Sequence, residues 1–499
     1  MEKIRGTTQS FFSLFEHANL KKQLYIAAMK RLGQLAILSL VIQWILSLIY
    51  YLQRIAFLDA AFVLVKIINE QQPTIMVGRY GAILTQSWPW VGVLAGWSLD
   101  TLMLLYSVSF TTLNLVVGIL LYRMRRHEWS VVLATYFLLF YTDSFFWTNN
   151  EIHQAFALFA LGAGYFDYLI RRRPARFRLK ILASSLLISF AILTHPLMLI
   201  IVGYYFIYLV LDRQWVLNRV EQLVIAIVIL FSGLVKYMLS SHNWYDSQKF
   251  EMINELSWTE WMSVYHQPLF HHFFNDLLSH YQPALLALLL AILLLVVTHR
   301  WLLLSLTLLF TFLHISMVSV VVNEFHRFYV ESQWMLLAFF IWFPIVTSIR
   351  LLSERWKVSA ILLFTITLTW WGIRFTASLE TFTYRLDWHE ERIGSMVDNN
   401  KQKMILVDPC SIAITSEEPS CPEVLDKLQM LWGMPAESLL LSSRNGDSRT
   451  YIHKDYFIAG GALKAFHNCF DTVRVESMNG HYFNLNPDEV YKQQPRPVY

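Results

Sequence analysis

The sequence predicts a mainly α-helical, polytopic membrane protein: a bundle of about eleven transmembrane helices followed by a small C-terminal α+β domain. Three observations predict it. The 499 residues are 56% apolar and 15% charged, against roughly 25% charged in a soluble domain, and the mean hydropathy is +0.42. Apolar runs long enough to cross ~30 Å of hydrocarbon recur along the first three quarters of the chain. Charge is also divided unevenly: residues 1–375 carry 28 Lys+Arg against 19 Asp+Glu, while residues 376–499 carry 12 against 17. A basic membrane part beside an acidic tail lacks the concentrated basic face that phosphate backbones require, so nucleic acid is not an expected partner.

The apolar runs lie at 32–52, 99–121, 128–147, 151–170, 221–240, 283–299, 301–322, 332–349 and 357–375. Residues 181–211 form one further apolar stretch, interrupted by His195-Pro196, too long for one crossing and short for two. Reading it as two short helices places 21 Lys+Arg in the segments on one side of the bilayer, including the basic 1–31, and 5 on the other. The basic side is expected to be cytoplasmic. Eleven crossings then put residues 376–499 on the opposite face, where an oxidising compartment suits Cys410 and Cys421, spaced to close a loop, with Cys469 left over. The Lys and Arg residues of 1–31, standing before the first long apolar run, predict that the first span is its own insertion signal.

Two extracytoplasmic loops are long. Loop 53–98 opens with FLDAAFVLVKIINEQQP, an amphipathic or half-buried helix expected at the interface. Loop 241–283 is rich in Trp, Tyr, Phe and His, as suits the headgroup level. In the tail, KMILVDPC reads as a strand and EVLDKLQMLW as a helix. Arg444-Asn445-Gly446-Asp447 and Met478-Asn479-Gly480-His481 read as hairpin turns.

The polar residues that a bilayer makes costly are the candidates for chemistry. Asp59 reads either as a helix N-cap or as a general base at the membrane surface. FYTDSFFWTNNEIHQAF gathers Asp143, Asn149, Asn150, Glu151, His153 and Gln154; Glu151 and His153 read as metal ligands or as an acid/base pair, and a polar loop capping the next helix accounts for the same residues. His195 is either a satisfied buried histidine or part of a site, and Lys236 suits snorkelling. Arg79, His326 and Arg327 stand on a side where cations are scarce, and arginine matches phosphate oxygens as a fork. No P-loop, Gly-rich nucleotide fingerprint, HExxH or CxxC occurs, so a soluble nucleotide donor is not indicated.

A basic N-terminus, an acidic residue soon after the first span, an acidic loop between the third and fourth spans, about eleven crossings and an extracytoplasmic tail together resemble the GT-C superfamily of lipid-linked-sugar glycosyltransferases. More narrowly, FLDAAF, GRYGAILTQSWPW, FFWTNNEIHQA, LTHPL and MPAESLLLSS resemble uncharacterised multipass proteins of this type in Bacteroidetes-like bacteria. The resemblance implies an inner-membrane enzyme with a periplasmic tail, moving a sugar from a polyprenyl-phosphate donor to a glycan, lipid or protein acceptor. It implies Asp59 as catalytic base and Glu151, with Asp143 second, as the acidic residue of the second loop. Arg79, His326 and Arg327 would hold the phosphate, and His153 and His195 would contact substrate. A divalent cation, Mg or Mn, belongs to part of the superfamily, but this chain has a lone Asp59 where many members carry DE or DxD. The competing expectation is a multipass transporter or lipid-linked-glycan flippase, with polar residues lining a path.

Overall fold

The computed structural model describes residues 2–212, 217–255, 257, 259, 261, 263–322, 325–351, 353–399, 403–407, 421–453, 456, 465–468, 471–486, 488 and 491–493. Only the backbone is described for 2–24, 397–399, 421–423, 468, 471 and 492–493. The side chains of Cys410, Cys421 and Cys469, and with them the expected Cys410–Cys421 pairing, lie outside the described residues.

The chain is a multipass membrane protein. The helices are α1 (Glu2–Ile49), α2 (Tyr51–Ile55), α3 (Leu58–Glu70), α4 (Ile83–Leu94), α5 (Leu99–Arg123), α6 (His127–Leu139), α7 (Glu151–Arg172), α8 (Phe177–Thr194), α9 (Met198–Leu211) and α10 (Arg219–Ser241). They continue as α11 (Trp244–Asn254), α12 (Pro268–Ser279), α13 (Gln282–Val297), α14 (Trp301–Val321), α15 (Arg327–Trp334), α16 (Leu337–Ser348), α17 (Glu354–Asn399), α18 (Cys421–Leu428) and α19 (Met434–Ser443). Among the described residues, seven helical segments are long and apolar enough to cross a membrane, or eight if the pair α12 and α13, bent by 93°, counts as one. Side-chain caps start several of them: Ser98 for α5, Asn150 for α7 and Asn218 with Glu221 for α10, each satisfying N–H groups that have no partner inside the helix.

The chain breaks at His195-Pro196, separating α8 from α9. His195 takes an extended conformation, φ −149° and ψ 131°, because a following proline disfavours the helical region. The run expected at 128–147 divides differently. α6 stops at Leu139 and a single 3₁₀ turn follows at Asp143–Phe145. The backbone groups left without helical partners there are satisfied by buried side chains. Glu331 accepts from the Thr142 and Ser144 N–H groups at 3.0 and 2.7 Å and from the Tyr281 hydroxyl at 2.7 Å, and Arg54 donates to the Phe145 carbonyl.

The tail differs from its expected form in three ways. α17 is one helix of 46 residues, running without a break through the 375/376 boundary. MPAESLLLSS is helix α19, not the first arm of a hairpin; Pro435 sits in its first turn and all ten residues are buried, as suits a run of Ala, Glu and Leu. The turn at Arg444–Asp447 does form, with Gly446 at φ +77°, but it leads from α19 into β2. After β4 the chain enters a 3₁₀ turn at Val475–Ser477, so Met478–His481 closes no hairpin. Parallel pairing orders β2 (Thr450–His453), β1 (Met404–Val407) and β5 (Lys492–Gln493), while β3 (Ala465–Asn468) and β4 (Asp471–Arg474) pair antiparallel.

α3 is buried rather than interfacial. Ala60, Val63, Leu64 and Ile67 share one apolar cluster with Leu102 and Tyr106 of α5 and with Met404, Ala436, Leu439 and Ile452 of the tail. The tail and the first loop therefore fold against one core. Glu331→Leu leaves two backbone donors and the Thr142 and Tyr281 hydroxyls without acceptors; at about 1–3 kcal/mol each when fully buried, thermal unfolding of the purified protein should show a loss of several kcal/mol, whereas Ser477→Ala at an exposed position should show little.

Candidate functional site

A cavity of about 1090 Å³ opens between the bundle and the tail. Its wall includes Asp59 at the start of α3, Arg79, Trp147 and Asn149–Glu151 before and at the start of α7, His195, and Tyr245, Asp246 and Lys249 of α11. His326, Tyr329 and Gln333 close another side, and the tail supplies Asp426 and residues 429–432 with Tyr456. Leu199 and Ile200 of α9, Phe250 and Ile253 of α11, and Met317, Val318 and Val321 of α14 make part of the wall apolar.

Asp59 is not an N-cap. Phe57 holds that position without a side-chain bond, and Asp59 accepts from the Trp147 indole N–H at 2.7 Å. Trp147 is itself wedged against Phe328 and Tyr329. Burial pushes the Asp59 carboxyl up to about 7; the Trp147 bond and Arg79 pull it down, and the charge of Glu151 adds to the rise. A carboxyl so placed exchanges its proton near neutrality, where a general base is most effective.

Arg79 bridges Glu151 at 3.0 Å and Asp246 at 3.3 Å, and its guanidinium carbon lies 5.4 Å from the Tyr245 ring centroid. Burial alone would lower its pKa, but the two carboxylates outweigh it and hold the guanidinium above its ordinary range. Asp246 also accepts from Ser240 and Asn243. Burial works against its ionisation, yet Arg79 and these bonds keep its carboxyl below the ordinary value. One arginine thus ties the first loop, α7 and α11 together, and both its carboxylate partners are engaged.

Lys249 was not singled out by the sequence reading. Its ammonium lies 2.7 Å from the Tyr245 hydroxyl and 3.0 Å from that of Tyr329, and 4.0 Å from the centre of the Tyr245 ring. Among the described residues it has no carboxylate within ion-pair distance. The sequence did contain the signal: Lys249 is the one Lys or Arg in 241–283.

Of the expected site residues, Asp59, Glu151, Arg79, His195 and His326 line the cavity. His153 and Arg327 do not. The His153 ring is buried among Tyr136, Phe137 and Tyr141, because it points from α7 into the bundle. Arg327 faces a separate polar cluster, 3.2 Å from the His280 ring nitrogen, with Asp143 and Asp276 nearby. Asp143 accepts from Ser378 there, so it too stands off the cavity. Lys236 does not snorkel; it is fully buried and donates to the Gly78 carbonyl at 3.4 Å. His195 uses its Nδ1 to accept from the Leu197 N–H. The polar run before α7 serves two ends: Asn150 caps the helix and Glu151 faces the cavity. The residues do not make a metal-ligand set, since Glu151 is paired with Arg79, His153 points away, and among the described residues no three His, Cys, Asp or Glu side chains converge.

No protein-family model matches the chain, and neither does any curated protein or solved structure.

A folded-state carboxyl raised above its unfolded value binds its proton longer than the unfolded chain does. Its burial therefore costs stability increasingly as pH rises from ordinary carboxylate values through about 7. Asp59→Asn should raise the unfolding temperature more at pH 8 than at pH 5, by differential scanning of the purified protein. Trp147→Phe should move the Asp59 titration above the wild-type value, because the indole bond favours the carboxylate, read from the infrared carboxyl band that Asp59→Asn removes.

Proposed function

We propose that the chain is a GT-C-like membrane glycosyltransferase that moves a sugar from a polyprenyl-phosphate donor to an extracytoplasmic acceptor. The observation that carries this reading is Asp59: a carboxyl poised near neutrality on the wall of a large cavity that joins an apolar lining from α9, α11 and α14 to a polar one of Asp59, Arg79, Glu151, Asp246 and Lys249. A lipid-linked sugar has the same division. Its chain must stay in hydrocarbon while its anomeric carbon and the acceptor meet in a polar space.

In the proposed reaction an acceptor hydroxyl attacks the anomeric carbon from the face opposite the phosphate. The new bond is acceptor oxygen to carbon, and the bond that breaks is carbon to phosphate oxygen. Asp59 takes the hydroxyl proton, the electron pair leaves with the lipid phosphate, and the configuration inverts. Arg79 was expected to bind that phosphate, but its partners Glu151 and Asp246 already engage it. Arg327 lies off the cavity. The role falls to Lys249, with the Tyr245 and Tyr329 hydroxyls beside it and His326 on the same wall. Preorganised donors of this kind stabilise charge that grows on the leaving oxygen. Glu151 and Arg79 fix the geometry around Asp59, and the tail residues Asp426, Gln429 and Trp432 suit recognition of the acceptor. The bias of Lys and Arg supports an inner-membrane protein with the tail in the periplasm.

Membranes carrying the wild-type protein should transfer label from a radiolabelled polyprenyl-phosphate sugar to glycan. Asp59→Asn should lower that rate by about 10²–10⁴-fold with unchanged expression, and full transfer by the purified variant contradicts the reading. Lys249→Met should lower the rate by about 10²-fold or more, while Arg327→Lys should change it little. Movement of the labelled lipid across proteoliposomes with no new glycosidic bond would favour a flippase instead.

A further inference from the structure

Asp59 has a support that sits 378 positions away in sequence. The residue before it, Leu58, is a non-glycine in the left-handed region, φ +42°, a conformation a leucine keeps only when its surroundings hold it there. What holds it comes from the tail. The Leu58 N–H donates to Glu437 Oε1 at 2.7 Å, and Glu437 is fully buried on α19.

Glu437 is itself clamped. Arg385 of α17 reaches both its oxygens, with Nη2 2.8 Å from Oε1 and 2.7 Å from Oε2, and Nε 3.1 Å from Oε2. His389 Nε2 lies 2.7 Å from Oε2. The same guanidinium lies 5.0 Å from the ring centre of Phe57, the N-cap of α3, and donates to the Leu428 carbonyl at the end of α18. It therefore grips the start of α3 and the segment that leads into the tail wall of the cavity. Gly433 allows the approach: a Cβ there would stand 2.2 Å from Glu437 Oε1 and 2.8 Å from Leu58 Cα.

We infer that Glu437, held by Arg385 and His389, is a positioning residue for Asp59, so that the tail is a working part of the site. This rests on the reading of Asp59 as the base. The groups that face Asp59 are Trp147, Glu151, Arg79, Tyr106 and Tyr245. The largest influences on its titration are burial, Trp147, Glu151 and Arg79. Gly433→Ala leaves every charge in place, so a shift of that titration in this variant travels through the placement of α3.

The test uses the full-length protein in lipid nanodiscs, titrated by infrared spectroscopy, with Asp59→Asn identifying the Asp59 carboxyl band. No substrate is needed. Glu437→Gln loosens the clamp from the tail side, and Gly433→Ala pushes Leu58 and Glu437 apart. In either variant Asp59 should gain water and titrate at least one pH unit below the wild-type value. Glu437→Gln should also lower transfer of the radiolabelled donor by tenfold or more. Should both variants fail to fold, Arg385→Lys, which keeps the charge and loses the fork, reads the same shift. A folded variant in which Asp59 titrates as in the wild type, with wild-type transfer, overturns the inference. If Asp59→Asn transfers normally, the base reading fails whatever the clamp variants show.

Discussion

Backbone that leaves a helix inside a membrane bundle must find its hydrogen-bond partners within the protein, and this constraint shapes the site. The chain is irregular in two places that matter, Ala56–Leu58 and Phe140–Asn150. In each a buried glutamate far away in sequence supplies acceptors: Glu437 for Leu58, and Glu331 for Thr142 and Ser144. Arg54 fills the complementary need, donating to the Phe145 carbonyl with its guanidinium 4.1 Å from that residue's ring centre. The two irregular segments meet where the Trp147 indole donates to Asp59. Leu58 of the first stretch and Trp147, Asn149 and Asn150 of the second line the cavity, and the glutamates satisfy the backbone of both.

A buried carboxylate is stable only when it is paired and hydrogen-bonded. Glu437 meets that condition: burial favours its neutral form, but Arg385, His389 and the Leu58 N–H prevail and keep it ionised below the ordinary range. Asp59 does not meet it so fully. Burial outweighs its indole bond and Arg79, and the charge of Glu151 adds to it, which leaves its carboxyl near 7. The difference between a fully satisfied acid and a partly satisfied one separates a strut from a group free to take a proton.

Much of the membrane part was legible in the sequence because length and apolarity alone decide whether a helix can span. The break at His195-Pro196 was legible because proline acts on its immediate neighbour. The early end of α6 was not, since the acceptor that satisfies the Thr142 N–H beyond it is Glu331, 189 positions away. Asp59 and Glu151 were found by their cost in a membrane and do share the cavity. Arg327 and His153 met the same test, but which face of a helix or loop looks into the cavity is set by packing. Lys249 was hidden among the aromatic residues of its loop, although Tyr245 and Tyr329 are what aim it. The tail's α19 was hidden by the turn at Arg444–Asp447, which suits the end of a helix as well as a hairpin.

The most direct measurement is the pH dependence of sugar transfer from a labelled polyprenyl-phosphate donor by the wild-type protein. The rate should rise tenfold per pH unit on the acid side and level off near 7, where Asp59 gives up its proton. A rate that is flat between pH 5 and 8 would contradict this.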